Sequence, residues 1–369
     1  MPKFLTIFPN AENVHLIKDV GMIPYILHKE YGYDSTIATY KNGEYPYLDT
    51  DVKGLKQLII GKKFKNEILN ICWFILTNFR KYDVLQCYHI SKKSIIYLLC
   101  FKFLKSITFS QGVTYLKFDS NDSIKEVKLS QKVIFLLKRI KILSVETKTL
   151  HEYLNSDNLF KGLVNYVPSG YYNSCNKEKV DFSIKENLII TVGRIGNKEK
   201  NNEVLLHSFK DFAKINKEWK LELIGPIESG FSAYIDNYFK ENPNLISRVV
   251  FTGNISEREL LQEKYRKAKI FALTSRSESF GIVLVEAMAS GCFLLSTDFS
   301  SALDITDNGR YGSLFKFGDT CILTNKLLQI VNNQEKLKDG CLSSQNYAFD
   351  NFSWVKICGD IDKFLNRKQ

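Results

Sequence analysis

Three patterns that mark common classes of protein are not visible in the sequence: paired cysteines, a long apolar run and a secretory signal. The eight cysteines show no Cys-x-x-Cys spacing, which argues against a zinc site or a disulfide framework and predicts reduced thiols in a cytoplasmic protein. The longest apolar stretches, residues 71–79 and 94–104, are shorter than the roughly 20 residues that a spanning helix needs. The first apolar run, Phe4–Phe8, has the length of a strand and stops at Pro9, so we expect no signal peptide.

Positive charge is concentrated in the first half of the chain. Residues 53–148 contain 19 Lys and Arg against 6 Asp and Glu, whereas the whole chain carries a net charge of +11. A basic face of this kind suits nucleic acid, an anionic acceptor or a membrane surface. No zinc-finger, RNP or basic-zipper pattern accompanies the charge, so we expect no nucleic-acid partner. A general bias toward Lys and Asn is the alternative explanation.

The length of the chain and its alternation of strand and helix patterns predict two α/β domains. A prior of about 150 residues per domain divides the 369 residues into two. Apolar, β-branched runs alternate with helical patterns, for example at Lys220–Pro226 and Arg248–Ser256. This alternation predicts parallel sheets covered on both faces, in which ligands bind beyond the carboxyl ends of the strands.

The most informative segment is Ser277–Gly291, which follows an apolar strand pattern at Lys269–Thr274. The pattern predicts a helix from Gly281 onward, with Glu286 in its second turn and Glu278 just before it. A helix N-terminus attracts a phosphate, and two adjacent carboxylates accept hydrogen bonds from sugar hydroxyls. We therefore predict a nucleotide-sugar site. The other residues predicted to face the donor here are Ser279, Phe280, Gly281, Ile282 and Val283.

A second motif spans Leu188–Phe209 and predicts a strand, a loop and a helix. The strand pattern ends at Gly193, and Arg194 and Lys200 bracket the following loop. A guanidinium paired with an ammonium can hold a diphosphate whose charge grows as a glycosidic bond breaks. The alternative is an ordinary surface loop rich in Lys and Asn.

Together the two motifs resemble the donor site of retaining GT-B glycosyltransferases of family 4, also called glycosyl transferases group 1. The resemblance rests on Glu-x7-Glu with Phe-Gly after the first Glu, on Glu-Ala-Met-Ala-x-Gly, and on Val-Gly-Arg…Lys; it is nearly continuous over residues 188–318. It implies two Rossmann-like domains with parallel sheets facing across a cleft. The implied limits are 1–175 for the acceptor domain and 186–348 for the nucleotide-sugar domain. Residues 349–369 would form a helix that returns to the first domain, anchored by Trp354.

The resemblance also implies residue roles. Glu278 would bind the donor sugar ring, Glu286 the ribose hydroxyls, and Arg194 with Lys200 the departing diphosphate, in a transfer that retains anomeric configuration. The candidates for contact with the base are Asn254 and Ile255. We expect no metal and no other cofactor, since the two cations and the helix N-terminus supply the positive charge. Asp49-Thr50-Asp51 matches a metal-binding triplet, but no apolar strand leads into it.

Candidates in the first half are fewer. Gly21 is predicted to precede a helix, in a loop that faces a phosphate or the acceptor. His89 follows a strand pattern and is either an acceptor-side residue or a packed core histidine. Many relatives carry a Thr-x-His-Gly-like turn near residues 107–119, whereas this chain offers Lys117 or Asp119 in its place.

We therefore expect a cytoplasmic hexosyltransferase that acts on a glycan or lipid-linked acceptor. The bias toward Lys, Asn and Ile suggests an A/T-rich bacterial genome, and hence capsule, lipopolysaccharide or another surface glycan. Residues 134–143 join cations to apolar residues and predict either a surface helix on the inner face of an anionic membrane or a core helix with one solvated edge. Two other classes stay open. An epimerase needs an acid/base pair that the first domain does not offer, and a silent accessory subunit usually loses Arg194, Lys200 or Glu278, all of which are present.

Overall fold

In a computed structural model, the chain forms two compact units. Unit 1 comprises Met1–Tyr172 and Ser353–Gln369, and unit 2 comprises Asn173–Phe352. The sequence had placed the corresponding limits at residues 175, 186 and 348. The structure describes residues 1–118, 130–156, 160–172, 179 and 181–367.

Unit 1 is built on a parallel sheet. Its strands are β1 (Lys3–Ile7), β2 (Asp34–Thr39), β3 (Lys56–Ile59), β4 (Val84–Tyr88), β5 (Val113–Phe118), β6 (Ile142–Val145) and β7 (Val164–Tyr166). Its first helices are α1 (Asp19–Tyr31), α2 (Glu67–Asn78), α3 (Lys92–Ile107), α4 (Gln131–Leu137) and α5 (Lys148–Ser156). The strand order β3-β2-β1-β4-β5-β6-β7 is that of a Rossmann-like domain.

Unit 2 repeats this architecture. Its strands are β8 (Glu186–Val192), β9 (Lys220–Ile224), β10 (Val249–Gly253), β11 (Ala268–Leu273), β12 (Phe293–Thr297) and β13 (Ser313–Phe315), in the order β10-β9-β8-β11-β12-β13. Its helices are α6 (Asn202–Ile215), α7 (Ser232–Glu241), α8 (Arg258–Lys267), α9 (Ile282–Ala289), α10 (Ser300–Ile305), α11 (Thr320–Val331) and α12 (Gln334–Asn351). Short 3₁₀ turns in the two units lie at Asn13–His15, Pro46–Leu48, Phe79–Lys81, Phe182–Ile184 and Pro243–Leu245.

The last helix, α13 (Trp354–Asn366), belongs to unit 1 and packs against α1. Its buried residues recur at the spacing of one helix face, and Trp354 is 1% exposed. The Trp354 N–H donates to the Tyr171 carbonyl at 3.1 Å, so the start of the helix is tied to the end of the preceding chain of unit 1. The inner side chains of this helix are Trp354, Ile357, Cys358, Ile361 and Leu365.

The helix predicted for residues 134–143 is wrong in extent. Helix α4 ends at Leu137, and residue 142 already begins β6. Most apolar side chains of the segment, including Ile134 and Ile140, are buried in the core, whereas Phe135 and the cations are exposed. The core therefore takes most of the apolar residues that a membrane-lying helix would have needed, and leaves Phe135 outside it. Among the described residues, no helix combines the length and the apolar character that crossing a membrane requires.

Candidate active site

The strand order of unit 2 reverses between β8 and β11, which are neighbours in the sheet. The chain runs from β8 through α6 to β9 on one side, and from β11 through α9 to β12 on the other side. Ligands of open parallel sheets bind at such a reversal, because the loops diverge beyond the carboxyl ends of the strands and leave a crevice. The loops that follow β8 and β11, residues 193–201 and 274–281, contain the predicted catalytic residues Arg194, Lys200 and Glu278.

Glycine is required where the chain leaves β8 and β9. Gly193 has a φ of 155° and Gly225 a φ of 140°. A Cβ on Gly225 would lie 1.8 Å from the Gly193 carbonyl oxygen, and a Cβ on Gly193 would lie 3.3 Å from Lys200 Cε. The bare backbone at residue 193 thus provides the room in which the Lys200 side chain lies.

Lys200 and Glu278, which are 78 residues apart in sequence, meet at the reversal. Lys200 Nζ lies 2.5 Å from Glu278 Oε1, and the two side chains are 17% and 16% exposed. Ser275 Oγ donates to the same carboxylate oxygen at 2.6 Å. Partial burial strengthens this ion pair relative to one in bulk water, so the ammonium is held in one place. The structure therefore brings together two of the three predicted catalytic residues.

Backbone contacts fix the two loops to each other. Thr274 Oγ1 donates to the carbonyls of Lys200 and Asn201 at 2.8 and 3.0 Å. The Arg276 N–H donates to the Glu199 carbonyl at 2.7 Å. The position of Lys200 relative to Glu278 is thus set by hydrogen bonds as well as by the ion pair. The sequence analysis missed Thr274 and Ser275; a Thr-Ser pair at the end of a strand pattern was the signal.

The predicted helix start at Gly281 is confirmed. Gly281 is the N-cap of α9, and its φ of 85° and ψ of 51° are left-handed values that glycine adopts without strain. The first N–H groups of a helix have no carbonyl partner within it and form its positive end. Ile282 and Val283 occupy these positions, so their backbone can hold an anion beside the ion pair of Lys200.

The side chains that precede α9 differ in exposure. Ser279 is exposed, whereas Phe280 is 2% exposed and its ring centroid lies 6.3 Å from that of Phe352. The prediction that Phe280 faces the donor is therefore wrong for its side chain, because the ring packs in the interior of unit 2.

Glu286 lies on α9 and is partly buried. Tyr265 Oη donates to Glu286 Oε2 at 3.3 Å. Burial raises the pKa of the Glu286 carboxyl, although the positive charge of Arg258 and the hydrogen bond from Tyr265 oppose this shift. Tyr265 is a further residue that the sequence analysis did not find, since nothing in the helical pattern of α8 distinguishes it.

The remaining predicted donor residues lie at the same edge of the sheet. Arg194 follows β8 and is 64% exposed, with its Nη1 4.0 Å from Glu228 Oε1. Asn254 and Ile255 follow β10, the edge strand, with Asn254 exposed and Ile255 partly exposed. Arg194 is thus free to turn toward a ligand, while the other two lie two strands away from β8.

The sequence predicted that Gly21 precedes a helix, and this prediction is wrong. Helix α1 begins at Asp19, so Gly21 lies in its first turn. A Cβ at this position would lie 2.2 Å from the Leu16 carbonyl oxygen. The glycine is therefore explained by the close approach of the preceding chain, and its backbone offers no loop for a phosphate.

Lys117 was predicted to face the acceptor, and the structure instead buries it. Its side chain is 1% exposed, and Nζ lies 3.0 Å from Asp19 Oδ2 and 2.5 Å from Glu146 Oε1. Ser169 Oγ donates to that Glu146 oxygen at 2.8 Å. The amine thus joins the start of α1 to the ends of β5 and β6. Asp119, the alternative candidate, lies outside the described residues.

His89 is exposed, which excludes the core-histidine interpretation. It follows β4, has a φ of 63°, and its N–H donates to the Lys117 carbonyl at 3.0 Å. The ring lies 5.7 Å from that of Phe8, centroid to centroid. Strand order in unit 1 reverses between β1 and β4, so His89 lies at the position where a ligand of this sheet would bind.

The structure offers no arrangement for a metal ion among the residues that it describes: no three His, Cys, Asp or Glu side chains are grouped suitably there. The Asp49-Thr50-Asp51 triplet follows the 3₁₀ turn Pro46–Leu48 rather than a strand, and Thr50 Oγ1 donates to Asp51 Oδ2 at 3.0 Å. The donor set that is present consists of cations and backbone N–H groups, which suits a diphosphate.

Comparisons with known proteins agree with this chemistry. Residues 175–340 match the family model described as Glycosyl transferases group 1. The chain is 29% identical over 161 residues to the capsular polysaccharide biosynthesis glycosyltransferase CapM of Staphylococcus aureus, a match that covers 43% of this chain and 40% of CapM. It is 26% identical over 202 residues to the N-acetylgalactosamine-N,N'-diacetylbacillosaminyl-diphospho-undecaprenol 4-alpha-N-acetylgalactosaminyltransferase of Campylobacter jejuni, covering 53% of this chain and 52% of that enzyme. The chain thus spans about half or less of the length of these curated relatives.

Solved structures extend the likeness to the whole chain. The structure of Anabaena Alr3699/HepE in complex with UDP and glucose superposes with a TM-score of 0.74 over 100% of both chains, at 15% identity. The apo form of the lipopolysaccharide outer core galactosyltransferase WaaB superposes with a TM-score of 0.67 over 98% of this chain and 99% of its own, at 16% identity. At this identity the likeness shows the fold, which is GT-B. Residues 175–340, which lie in unit 2 of this GT-B fold, thus match the glycosyl transferases group 1 family.

Proposed function

We propose that the chain is a retaining glycosyltransferase of family 4 that transfers a hexosyl group from a nucleoside-diphosphate sugar to a hydroxyl of a glycan or lipid-linked acceptor. The observation that carries this proposal is the ion pair between Lys200 and Glu278 at the reversal of strand order, beside the N-terminus of α9. An ammonium, a carboxylate and a positive helix end are the groups that a sugar diphosphate requires.

The proposed mechanism follows from these groups. The diphosphate binds at the N-terminus of α9, where Lys200 and Arg194 stabilise the charge that develops as the bond to the sugar breaks. Glu278 positions the Lys200 ammonium and accepts hydrogen bonds from the sugar, and Glu286 accepts them from the ribose. The acceptor oxygen attacks the anomeric carbon on the face that the diphosphate leaves, and its proton passes to the leaving diphosphate. The anomeric configuration is then retained, with no metal required.

The acceptor class is proposed from the relatives. CapM is named for capsular polysaccharide biosynthesis, and the name of the Campylobacter jejuni enzyme contains diphospho-undecaprenol. Both names suit a bacterial surface polysaccharide that is assembled on a lipid carrier. We therefore propose that the protein acts in the cytoplasm at the inner face of the membrane, on a lipid-linked or glycan hydroxyl.

The test begins by identifying the donor and continues with variants. A thermal-shift screen of UDP-, GDP- and ADP-sugars should give one clear stabilisation, of about 2.7 kcal/mol for a ligand at 100 times its dissociation constant. With that donor, Arg194→Ala and Lys200→Ala should each lower turnover by roughly 100-fold or more, as for loss of one preorganised donor to a developing anion. Lys198→Ala, an exposed lysine of the same loop, is the matched control. Near-normal turnover in both variants contradicts the assignment.

A further inference from the structure

Helices α2 and α3 pack side by side in unit 1 and leave apolar side chains uncovered. On α2, Leu69, Trp73 and Leu76 are 53%, 41% and 46% exposed. Their spacing of four and three residues places them on one side of the helix. The opposite side of α2 packs into the core through Ile71 and Ile75. An apolar strip therefore runs along the outer side of α2.

Helix α3 carries a matching strip. Ile96, Phe103 and Ile107 are 40%, 63% and 54% exposed and are spaced by seven and four residues. The two strips adjoin, because α2 and α3 pack against each other and the partly buried Cys72 and Cys100 lie, by helical spacing, on the same sides of the helices as the strips. We call the surface formed by the two strips the α2–α3 face; its residues are Leu69, Trp73, Leu76, Ile96, Phe103 and Ile107.

Positive charge surrounds the α2–α3 face. Residues 60–110 contain nine Lys and Arg against two Asp and Glu. Lys63 Nζ lies 3.9 Å from the centroid of the Trp73 ring. Beyond α3, Lys102 Nζ donates to the Arg139 carbonyl at 2.7 Å, and the Arg139 guanidinium lies 4.2 Å from the centroid of the exposed Phe135 ring.

These observations favour one occupant. Scattered apolar residues are ordinary on a protein surface, whereas two adjoining strips with two aromatic rings indicate a contact surface. A second copy of the chain would bring two strongly basic faces together, which charge repulsion disfavours. An anionic lipid surface attracts the lysines and takes up the apolar side chains, and Trp and Lys are typical of such an interface.

We propose that the α2–α3 face docks unit 1 onto an anionic lipid bilayer. This surface replaces the segment 134–143 as the membrane contact, because most apolar residues of that segment are buried in the core. Docking there goes beyond the proposed transfer reaction, although it would bring unit 1 to the membrane where a lipid-linked acceptor is held. It depends on residues of unit 1 alone and can therefore be tested apart from the donor site of unit 2.

The experiment measures sedimentation of the full chain with vesicles of phosphatidylcholine alone or with phosphatidylglycerol added. We expect the parent protein to bind the anionic vesicles and to dissociate as salt is raised. The triple variant Leu69→Ser, Trp73→Ser, Phe103→Ser should lose at least about tenfold in partition, since burial of one large apolar side chain is worth roughly this factor. A second variant, Lys62→Gln with Lys63→Gln and Lys65→Gln, should lose about fivefold for each lysine.

Two controls separate docking from folding and from catalysis. Ile215 and Ile246 of unit 2 are 68% and 60% exposed, and their joint change to Ser should leave vesicle binding unaltered. Donor hydrolysis should be equal in all variants, because the donor site lies in unit 2. If the parent itself does not hydrolyse the donor, this result counts against the proposed reaction and not against docking. Sedimentation of both α2–α3 variants at the parental level overturns the proposal, as does failure of the parent to bind anionic vesicles. A lipid-free dimer that the triple variant abolishes would assign the face to a second copy instead.

Discussion

Replacing Lys117 by Met would remove the ammonium group that the carboxylates of Asp19 and Glu146 both contact in the interior of unit 1. Asp19 and Glu146 are 16% and 7% exposed in their side chains, and Lys117 is 1% exposed. Glu146 would keep the hydroxyl of Ser169, and Asp19 would keep the N–H of Val20. Neither group supplies positive charge.

The expected loss of stability follows from this burial. Removal of one partner of a buried ion pair costs about 3–5 kcal/mol, because it leaves an uncompensated charge. Here one amine serves two carboxylates, so we expect at least about 3 kcal/mol. Lys56→Met is the matched control, since Lys56 Nζ lies 2.6 Å from Asp34 Oδ1 with side chains that are 60% and 28% exposed. An exposed pair of this kind is worth at most about 1 kcal/mol.

The pH dependence gives a second readout. Burial raises the pKa of the Glu146 carboxyl, and the positive charge of Lys117 opposes this shift. Loss of Lys117 should therefore raise the pKa of Glu146 further. A carboxyl whose folded pKa exceeds its unfolded value favours the folded state at low pH and loses that contribution as pH rises through the folded pKa. The deficit of Lys117→Met should therefore shrink as pH falls from neutral. Burial lowers the pKa of the Lys117 amine, but Asp19 and Glu146 raise it by more. The amine of the parent protein therefore stays charged, and its ion pairs stabilise the fold, throughout the neutral range.

Urea unfolding measures the loss, and hydrogen exchange of β5 and β6 assigns it to unit 1. The reasoning is refuted if Lys117→Met costs no more than Lys56→Met. A deficit that stays constant between neutral and acidic pH would also contradict it, because the loss would then arise from packing rather than from charge.

Two further predictions concern the donor site. Glu286→Ala should weaken binding of the free nucleoside diphosphate as much as that of the full donor, whereas Glu278→Ala should weaken binding of the sugar-bearing form only. Calorimetric titration with both ligands measures these affinities. Equal effects of the two substitutions on both ligands would contradict the separate roles of Glu278 and Glu286. Excess EDTA should leave turnover essentially intact, since Lys200, Arg194 and the N-terminus of α9 supply the positive charge; complete loss that manganese restores would favour the Asp49-Thr50-Asp51 triplet.

Local patterns were sufficient for most of unit 2. The strand predicted at Lys269–Thr274 is β11, and the helix predicted from Gly281 is α9. Both follow from signals within a few residues, an apolar run and a glycine at a helix start, which need no tertiary partner. Predictions that depended on the tertiary contacts of a residue were less accurate. Lys117 carries the same charge in the core as on a surface, and only its packing against Asp19 and Glu146 distinguishes the two.

Gly21 and residues 134–143 illustrate the same limit. A glycine near a helix start predicts a loop, but a close approach of Leu16 requires glycine equally well. Apolar residues mixed with cations predict an amphipathic surface helix, but a short helix followed by a strand has the same composition. In each case the hydrophobic pattern is a property of neighbouring residues, whereas burial depends on contacts with residues that are far away in the sequence.

The sequence by itself indicated the match to glycosyl transferases group 1, the two-domain α/β architecture and the residue types predicted for a donor site, because these are encoded in periodicity and in short motifs. Tertiary structure alone decided which of those residues meet. Lys200 and Glu278 lie 2.5 Å apart because β8 pairs with β11 rather than only with its successor β9. Likewise, the apolar strips of α2 and α3 form one surface because the two helices pack against each other and contribute to one core. Pairing between non-consecutive strands depends on the packing of the whole domain, and no local pattern specifies it.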